Sequence, residues 1–399
     1  MPRLDPFPGV RYQTEDGYLD AVVSPPYDVI SPTDRARLLE RSEFNSVRIE
    51  LPAEEDGLDR YQVAASLWEQ WRAKEILVAD PEPSFYLYRM GYHDGAGRPR
   101  QTTGVVGALE LVAPGEGGIL PHERTTPKDK ADRLDLLRAC RANLSPIWAL
   151  SAAEGLSAVL EPSGPPDARA TDDEGVHHRL WRVHQPALAE AIATTVATTP
   201  VVIADGHHRF ETALAYRDER RAATGGAPGA YDAVMAFVVE LSEEQLMVRP
   251  VHRLLSGLAE GLDLVEALST HFEPAPAGPP AATLPARMAE AGALGLVTAG
   301  TSWLLRPRAE MLGAAQDLDS SRLEIALATL ADHTVVYQHG VDHVLAAVAS
   351  GRAQAGVLLR PASVAQIAAT GRGGERMPPK TTFFEPKPRT GMVFREVSG

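Results

Sequence analysis

The chain of 399 residues is poor in the residues that announce several common classes. It has one cysteine, Cys140, so no disulfide can form within it and no cysteine-based zinc site can be assembled. It is short of positive charge, with 39 Lys and Arg against 53 Asp and Glu, a formal net charge of -14. The negative excess argues against nonspecific binding to nucleic acid or to an anionic membrane, since both need a basic surface, but leaves room for a local basic site. No apolar run approaches the length of a membrane span. The first residues, Met1-Pro2-Arg3-Leu4-Asp5-Pro6, carry no apolar signal core. A cytoplasmic protein with no membrane or nucleic-acid partner is therefore the expectation. Three familiar motifs are also missing: the Walker-type phosphate loop, the glycine-rich dinucleotide turn and the nucleophile elbow.

What is present is an ordinary apolar fraction and a chain long enough for two or three domains, at about 150 residues each. Composition shifts divide it into 1–82, 83–255 and 256–399. The alternation of strand-like and helix-like stretches gives a mixed α/β class. In the first unit, prolines hold Val22 to Pro32 extended. A helix follows from about Asp34 to Arg41, capped by Ser31 or Thr33. Asn45 to Pro52 alternates polar and apolar residues and predicts a strand. Arg60 to Glu75 predicts an amphipathic helix whose aromatics, Tyr61, Trp68 and Trp71, belong to the core. Ser84–His93 and Gln101–Val112 read as a hairpin. Gly104 and Gly107 mark a bulge or a close backbone approach. Glu154 to Glu174 reads as a loop or exposed hairpin, Arg220 to Gly229 as a mobile loop, and Gly371 to Gly374 as a flexible joint. The last third alternates helices and strands.

Two dense polar nodes carry the chemistry. The first begins with an apolar strand, Val201 to Ala204, that ends in Asp205-Gly206. His207, His208 and Arg209 then open a helix. A strand, a tight turn and a helix N-terminus bring backbone N–H groups and cations onto an anion. Asp205 can hold a metal ion or orient a histidine, and Arg209 can clamp a phosphate or carboxylate. The blander reading makes Asp205 a helix cap and the histidines surface residues. The second node starts with His122, Glu123 and Thr125 in a loop. It continues into a helix bearing Lys128, Lys130 and Arg133. A further pair, His252-Arg253, could face the same site or lie on the surface. Together the nodes would suit phosphoryl transfer, with cations and Mg²⁺ balancing charge and a carboxylate taking a hydroxyl proton. A metal-dependent hydrolase would use similar residues.

Four stretches together resemble one family. They are VVSPPYDVIS (22–31), HERTTPKDKADRLDLLRACRANLSPIW (122–148), ADGHHRFETAL (204–214) and MPPKTTFFEPKPRTGMVF (377–394). In this order they resemble DUF1015, a bacterial family similar to the ParB/sulfiredoxin-like superfamily, which includes free serine kinases. The resemblance implies a central ParB/sulfiredoxin-like α/β core with added N- and C-terminal α/β units. It implies an Mg²⁺-dependent kinase that phosphorylates a free hydroxy amino acid, L-serine first, with ATP, ADP or diphosphate as donor. Glu123 would then be the general base, with His122 beside it. Asp205 would hold or orient the metal, and Gly206, His207, His208 and Arg209 would cradle phosphate, helped by Thr125, Lys128, Lys130 and Arg133. Tyr27, Asp28 and Lys380 are candidates that the added units would supply to the substrate, alongside His252 and Arg253. The superfamily also contains nucleotide-dependent switches, so an NTPase switch is the alternative beside the hydrolase.

Overall fold

The computed structural model describes residues 1–14, 17–113, 116–121, 127–314, 316–373 and 377–398. The chain forms two compact units. Of the described residues, the first contains Met1–Pro121, residues 127–247 and the segment from Pro386; the second contains Val248–Glu385. The mixed α/β class read from the sequence is the class observed.

The first unit is organised on a nine-stranded sheet. In chain order its strands are β1 (Leu4–Asp5), β2 (Phe85–His93), β3 (Pro99–Glu110), β4 (Ile119–Pro121), β5 (Ile147–Ser151), β6 (Ala168–Thr171), β7 (His177–Val183), β8 (Val201–Asp205) and β9 (Ala233–Glu240). Their spatial order is β4-β8-β5-β9-β3-β2-β7-β6, with β1 antiparallel to β3. The pairs β4–β8 and β5–β9 are parallel, and the other neighbours are antiparallel. β5, β8 and β9 are buried almost throughout, as the continuous apolar runs Ile147–Leu150, Val201–Ala204 and Val234–Val239 require.

Five helices of this unit matter to the site. They are α1 (Pro32–Arg41), α2 (Val47–Glu50), α3 (Arg60–Ala73), α4 (Pro127–Cys140) and α5 (His207–Ala223). α1 starts where the sequence said, on a Ser31 capping box with Asp34. α5 lays Phe210 and Ala213 onto the sheet face made by Val201, Ile203, Ile147, Ala149 and Val238. Its other side meets α4 through Leu137, Tyr216 and Tyr231. Of the aromatics of α3, Trp68 and Trp71 are core residues, lying against Phe394 and Tyr12, whereas Tyr61 is half-exposed and its OH donates to Asp132 at 3.0 Å. Phe394 lies on the C-terminal strand Phe394–Glu396, which pairs with Gly9–Tyr12 and Ala142–Asn143.

The second unit has a six-stranded sheet, antiparallel throughout, with an apolar core on each face. No helix among the described residues is long and apolar enough to cross a membrane.

Four local expectations are corrected. Asn45 to Pro52 is not a strand but contains the single helical turn α2. Asn45 Oδ1 accepts from the Val47 amide at 3.0 Å and its Nδ2 donates to Ala21 O at 2.8 Å, so a local side-chain bond replaces a ladder. Glu154 to Glu174 supplies one arm of the expected hairpin, β6 antiparallel to β7, but also holds a helical turn, Leu156–Val159, that was not expected. Helix α5 runs on to Ala223, into the expected mobile loop. Gly371 to Gly373 close the helix Val364–Gly373 instead of forming a joint. The proline stretch is extended except for one 3₁₀ turn, Tyr27–Val29.

Gly104 and Gly107 mark a close approach. A Cβ on Gly104 would stand 2.5 Å from the Phe237 ring and 2.6 Å from the Val238 carbonyl oxygen. Gly104→Val is expected to destabilise the protein by about 1–3 kcal/mol, the usual penalty of overpacking, read as a lower midpoint in urea. An unchanged midpoint would contradict this packing.

Candidate functional site

β8 ends at Asp205, where the ladder with β5 shifts register between Ile203 and Asp205. Gly206 then turns the chain at φ +83°, a conformation that favours glycine, and α5 begins at His207. A Cβ at Gly206 would lie 3.0 Å from Arg209 Nε and 3.1 Å from Nη2, so the guanidinium folds back under the turn because that position is glycine.

The Asp205 carboxylate is the meeting point. Arg209 Nη2 donates to its Oδ2 at 3.0 Å, and Lys387 Nζ donates to its Oδ1 at 2.6 Å. Burial alone would push this carboxyl up. Lys387 and Arg209, with His207 behind them, outweigh it and hold Asp205 well below the usual carboxylate range. His207 is buried at the first position of the helix. The site therefore offers two cations, a helix N-terminus and the His207 imidazole around one carboxylate.

Arg209 is tied further into the unit. Its Nη1 donates to Ser145 Oγ at 3.1 Å and also to the Pro146 carbonyl. Ser145 Oγ in turn donates to Glu50 Oε1 at 2.9 Å, and Glu50 is 2 % exposed. Arg133 Nη1 donates to the Glu50 carbonyl at 2.8 Å, and its Nε donates to Asp132 at 2.7 Å. The Arg133 guanidinium sits 4.2 Å from the centre of the Tyr27 ring. Burial pushes the Tyr27 phenol up, against the pull of Arg209, and both Tyr27 and Asp28 act on Arg209 electrostatically. A cavity of about 50 Å³ is lined by Glu50, Arg133, Ser145, Arg209 and Thr212 among others. That volume holds a few waters but no nucleotide.

The sequence-derived candidates are thus distributed in three ways. Asp205, Gly206, His207, His208, Arg209, Arg133, Tyr27 and Asp28 belong to the first unit, and Arg133, Tyr27 and Arg209 share one network. His122, Glu123 and Thr125 lie outside the described residues, as do the side chains of Lys128 and Lys130 on α4. His252, Arg253 and Lys380 belong to the second unit. There His252 is buried and accepts from the Leu359 amide at 3.2 Å, its imidazole pushed down to about 4 by burial and by Arg253. Arg253 donates to the Val251 carbonyl at 2.7 Å and stacks on Tyr337. Lys380 takes a left-handed backbone conformation, φ +56°.

Four residues were missed by sequence reading: Lys387, Glu50 and Ser145 in the network, and Arg389, which holds Asp172. Lys387 and Arg389 lie in the terminal motif, where the pattern Pro386-Lys387-Pro388-Arg389 was the available signal. Glu50 and Ser145 carried none. Metal competence at Asp205 is also qualified. Both its oxygens accept from cations, and among the described residues no three His, Cys, Asp or Glu side chains gather as a metal-binding group. An Mg²⁺ ion that keeps water and phosphate as most of its ligands needs only one or two carboxylates. Asp205 could serve it once Lys387 or Arg209 has moved to another anion.

A family profile described as "Protein of unknown function (DUF1015)" matches residues 4–326. The chain belongs to the DUF1015 family. No curated protein matches it. It is similar to a free serine kinase solved in complex with AMP, at 12 % identity and a TM-score of 0.39, over 70 % of this chain and 88 % of that one. It is also similar to SbnI with a C-terminal truncation, from Staphylococcus aureus, at 13 % identity and 0.40, over 72 % and 86 %. A conserved hypothetical protein from Pyrococcus furiosus gives 13 % and 0.37, over 71 % and 96 %.

A second carboxylate of this DUF1015 protein is held the same way. Asp172 accepts from Arg389 Nε at 3.0 Å and lies 2.9 Å from His178 Nε2. Burial would raise the Asp172 carboxyl, but His178 and Arg389 hold it well below its usual range. For both aspartates the folded protein binds its proton less readily than the unfolded chain. Their contribution is complete above about pH 5 and is lost progressively below about pH 4. Asp172→Asn should therefore melt at lower temperature at pH 7 and show a shallower fall in melting temperature toward pH 2. A slope equal to that of the parent would contradict the assignment.

Proposed function

We propose that this DUF1015 protein is a phosphotransferase. It moves a phosphoryl group from a phosphoanhydride, namely ATP, ADP or diphosphate, to the hydroxyl of a free small amino acid, with L-serine the first candidate. The observation that carries the reading is the Asp205 carboxylate holding Lys387 and Arg209 at the N-terminus of α5. Phosphoryl transfer leaves little covalent work to a protein. Its demands are positioning, and cations and N–H dipoles aimed at the charge spread over the phosphate oxygens.

In this reading the donor phosphates lie at the start of α5, where His207, His208 and Arg209 face the helix N-terminus and its N–H groups. The serine hydroxyl attacks the terminal phosphorus, the bond from phosphorus to the leaving phosphate oxygen breaks, and Glu123 takes the hydroxyl proton. Thr125, together with Lys128 and Lys130 in the first turn of α4, is assigned to the same phosphates. Arg133 is stacked on Tyr27 and is joined to Arg209 through Glu50 and Ser145. Mg²⁺ would supply further neutralisation of the donor, with Asp205 as its protein carboxylate.

Phosphorus NMR of the protein with Mg²⁺ and L-serine, run separately with ATP, ADP and diphosphate, tests this directly. A phosphoserine signal that requires serine and is lost in Glu123→Gln is expected with one of the three donors. Donor hydrolysis without phosphoserine would favour a nucleotide switch instead. Phosphoserine production that survives in Glu123→Gln within a few fold would remove Glu123 as the base.

A further inference from the structure

The residues that follow the second unit return to the first as a strap, and the strap is built with unusual rigidity. Pro386 and Pro388 flank Lys387, which fixes φ on both sides of the lysine and keeps the segment extended. Two residues beyond Lys387, Arg389 is clamped. Its guanidinium donates to Asp172 Oδ2, through Nε at 3.0 Å and also through Nη2. The other Asp172 oxygen accepts from the Glu174 and Val176 amides, each at 2.9 Å, so the acceptor is itself immobilised by its turn. The Arg389 amide donates to Tyr88 OH at 3.0 Å. Tyr88 OH lies 2.8 Å from His178 Nδ1, and His178 Nε2 reaches back to Asp172. A carboxylate only accepts, so Nε2 carries the hydrogen and Nδ1 accepts from the tyrosine. One residue further, Thr390 exchanges backbone bonds with Ser24 at 2.9 and 3.0 Å, tying the strap to the proline-rich loop that carries Tyr27.

All of this fastening stands beside one side chain that reaches the site. Lys387 is buried, and its ammonium meets Asp205 from a part of the chain 182 positions away. A buried ion pair contributes little net stability, because desolvation consumes most of the attraction. Stability alone is thus a poor account of such a pair at a strand end beside a helix N-terminus. An ammonium is a compact charge with three donors on a flexible stem, able to exchange one anion for another.

We propose that Lys387 is a catalytic residue whose ammonium passes from Asp205 to the phosphates of the donor, and that Arg389 is the positioning residue that sets it there. The inference rests on the phosphotransferase reading for its reaction, but its binding step stands apart from it. The anion it takes is a phosphoanhydride or its diphosphate product.

Calorimetric titration with diphosphate and with ADP provides the test. Lys387→Ala should bind both roughly tenfold to a hundredfold more weakly than the parent, as expected for loss of a charge-assisted hydrogen bond. Lys387→Arg should stay within a few fold. Arg389→Lys should weaken binding in the parent and cause no additional loss in the Lys387→Ala background, because it acts only through Lys387. Lys387→Gln, which keeps a donor to Asp205, replaces the alanine variant if that variant fails to fold. Equal affinity of parent and Lys387→Ala would overturn the proposal, as would an equal Arg389→Lys loss in both backgrounds. Phosphoserine formation unaffected in Lys387→Ala would remove the lysine and leave the kinase standing. Diphosphate binding that depends on Lys387 without any phosphoserine would leave the anion site and remove the kinase. A parent that binds neither diphosphate nor ADP would overturn both.

Discussion

One half-buried carboxylate organises the site. Asp205 stands at the end of a strand, only partly open to solvent, and it is held ionised because Lys387 and Arg209 share it. Each of the three needs the others. Removing the carboxylate would leave two cations buried without a counter-charge, and losing one partner of a buried ion pair is far more costly than never having had it. The fold therefore has to bring β8, α5 and the C-terminal strap to one point, and the architecture of the first unit is the means of doing so.

The means are separable. The register shift at the end of β8 and the left-handed Gly206 turn the Asp205 carboxylate and the Arg209 guanidinium toward one another. The packing of α4 on α5 brings Arg133 level with Arg209, and Ser145 and Glu50 bridge them. The strap is held at Asp172, at Ser24 and in the small sheet with Gly9–Tyr12, so the backbone that carries Lys387 is fixed and only its side-chain stem can swing. An anion approaching the helix N-terminus thus meets donors that are already in place, which reduces the entropy to be lost on binding.

What the sequence disclosed follows from how far each signal reaches. The turn after β8 was legible because an apolar run, a glycine and a polar helix start are adjacent in the chain. The same is true of the Ser31 cap and of the Trp68 and Trp71 core positions. Asn45 to Pro52 was misread because four alternating residues fit a strand and a helical turn equally well, and only the Asn45 side-chain bonds decide between them. Lys387 was out of reach for a different reason. Its partner is 182 positions away, and the terminal motif offers two lysines in similar surroundings. Lys380 belongs to the second unit and Lys387 to the first, a distinction that only the path of the chain makes. Glu50 and Ser145 are ordinary residues in ordinary segments, and they matter only because Arg209 is nearby.

The central claim is that Lys387 and Arg209, gathered by Asp205, are the donors to a phosphate anion. The most direct measurement is nitrogen-15 NMR of the lysine ammonium and arginine Nε groups while diphosphate is added. The account expects the Lys387 and Arg209 signals to shift together and saturate at one equivalent per chain. Diphosphate that binds while both signals stay where they were, or that does not bind, would contradict it.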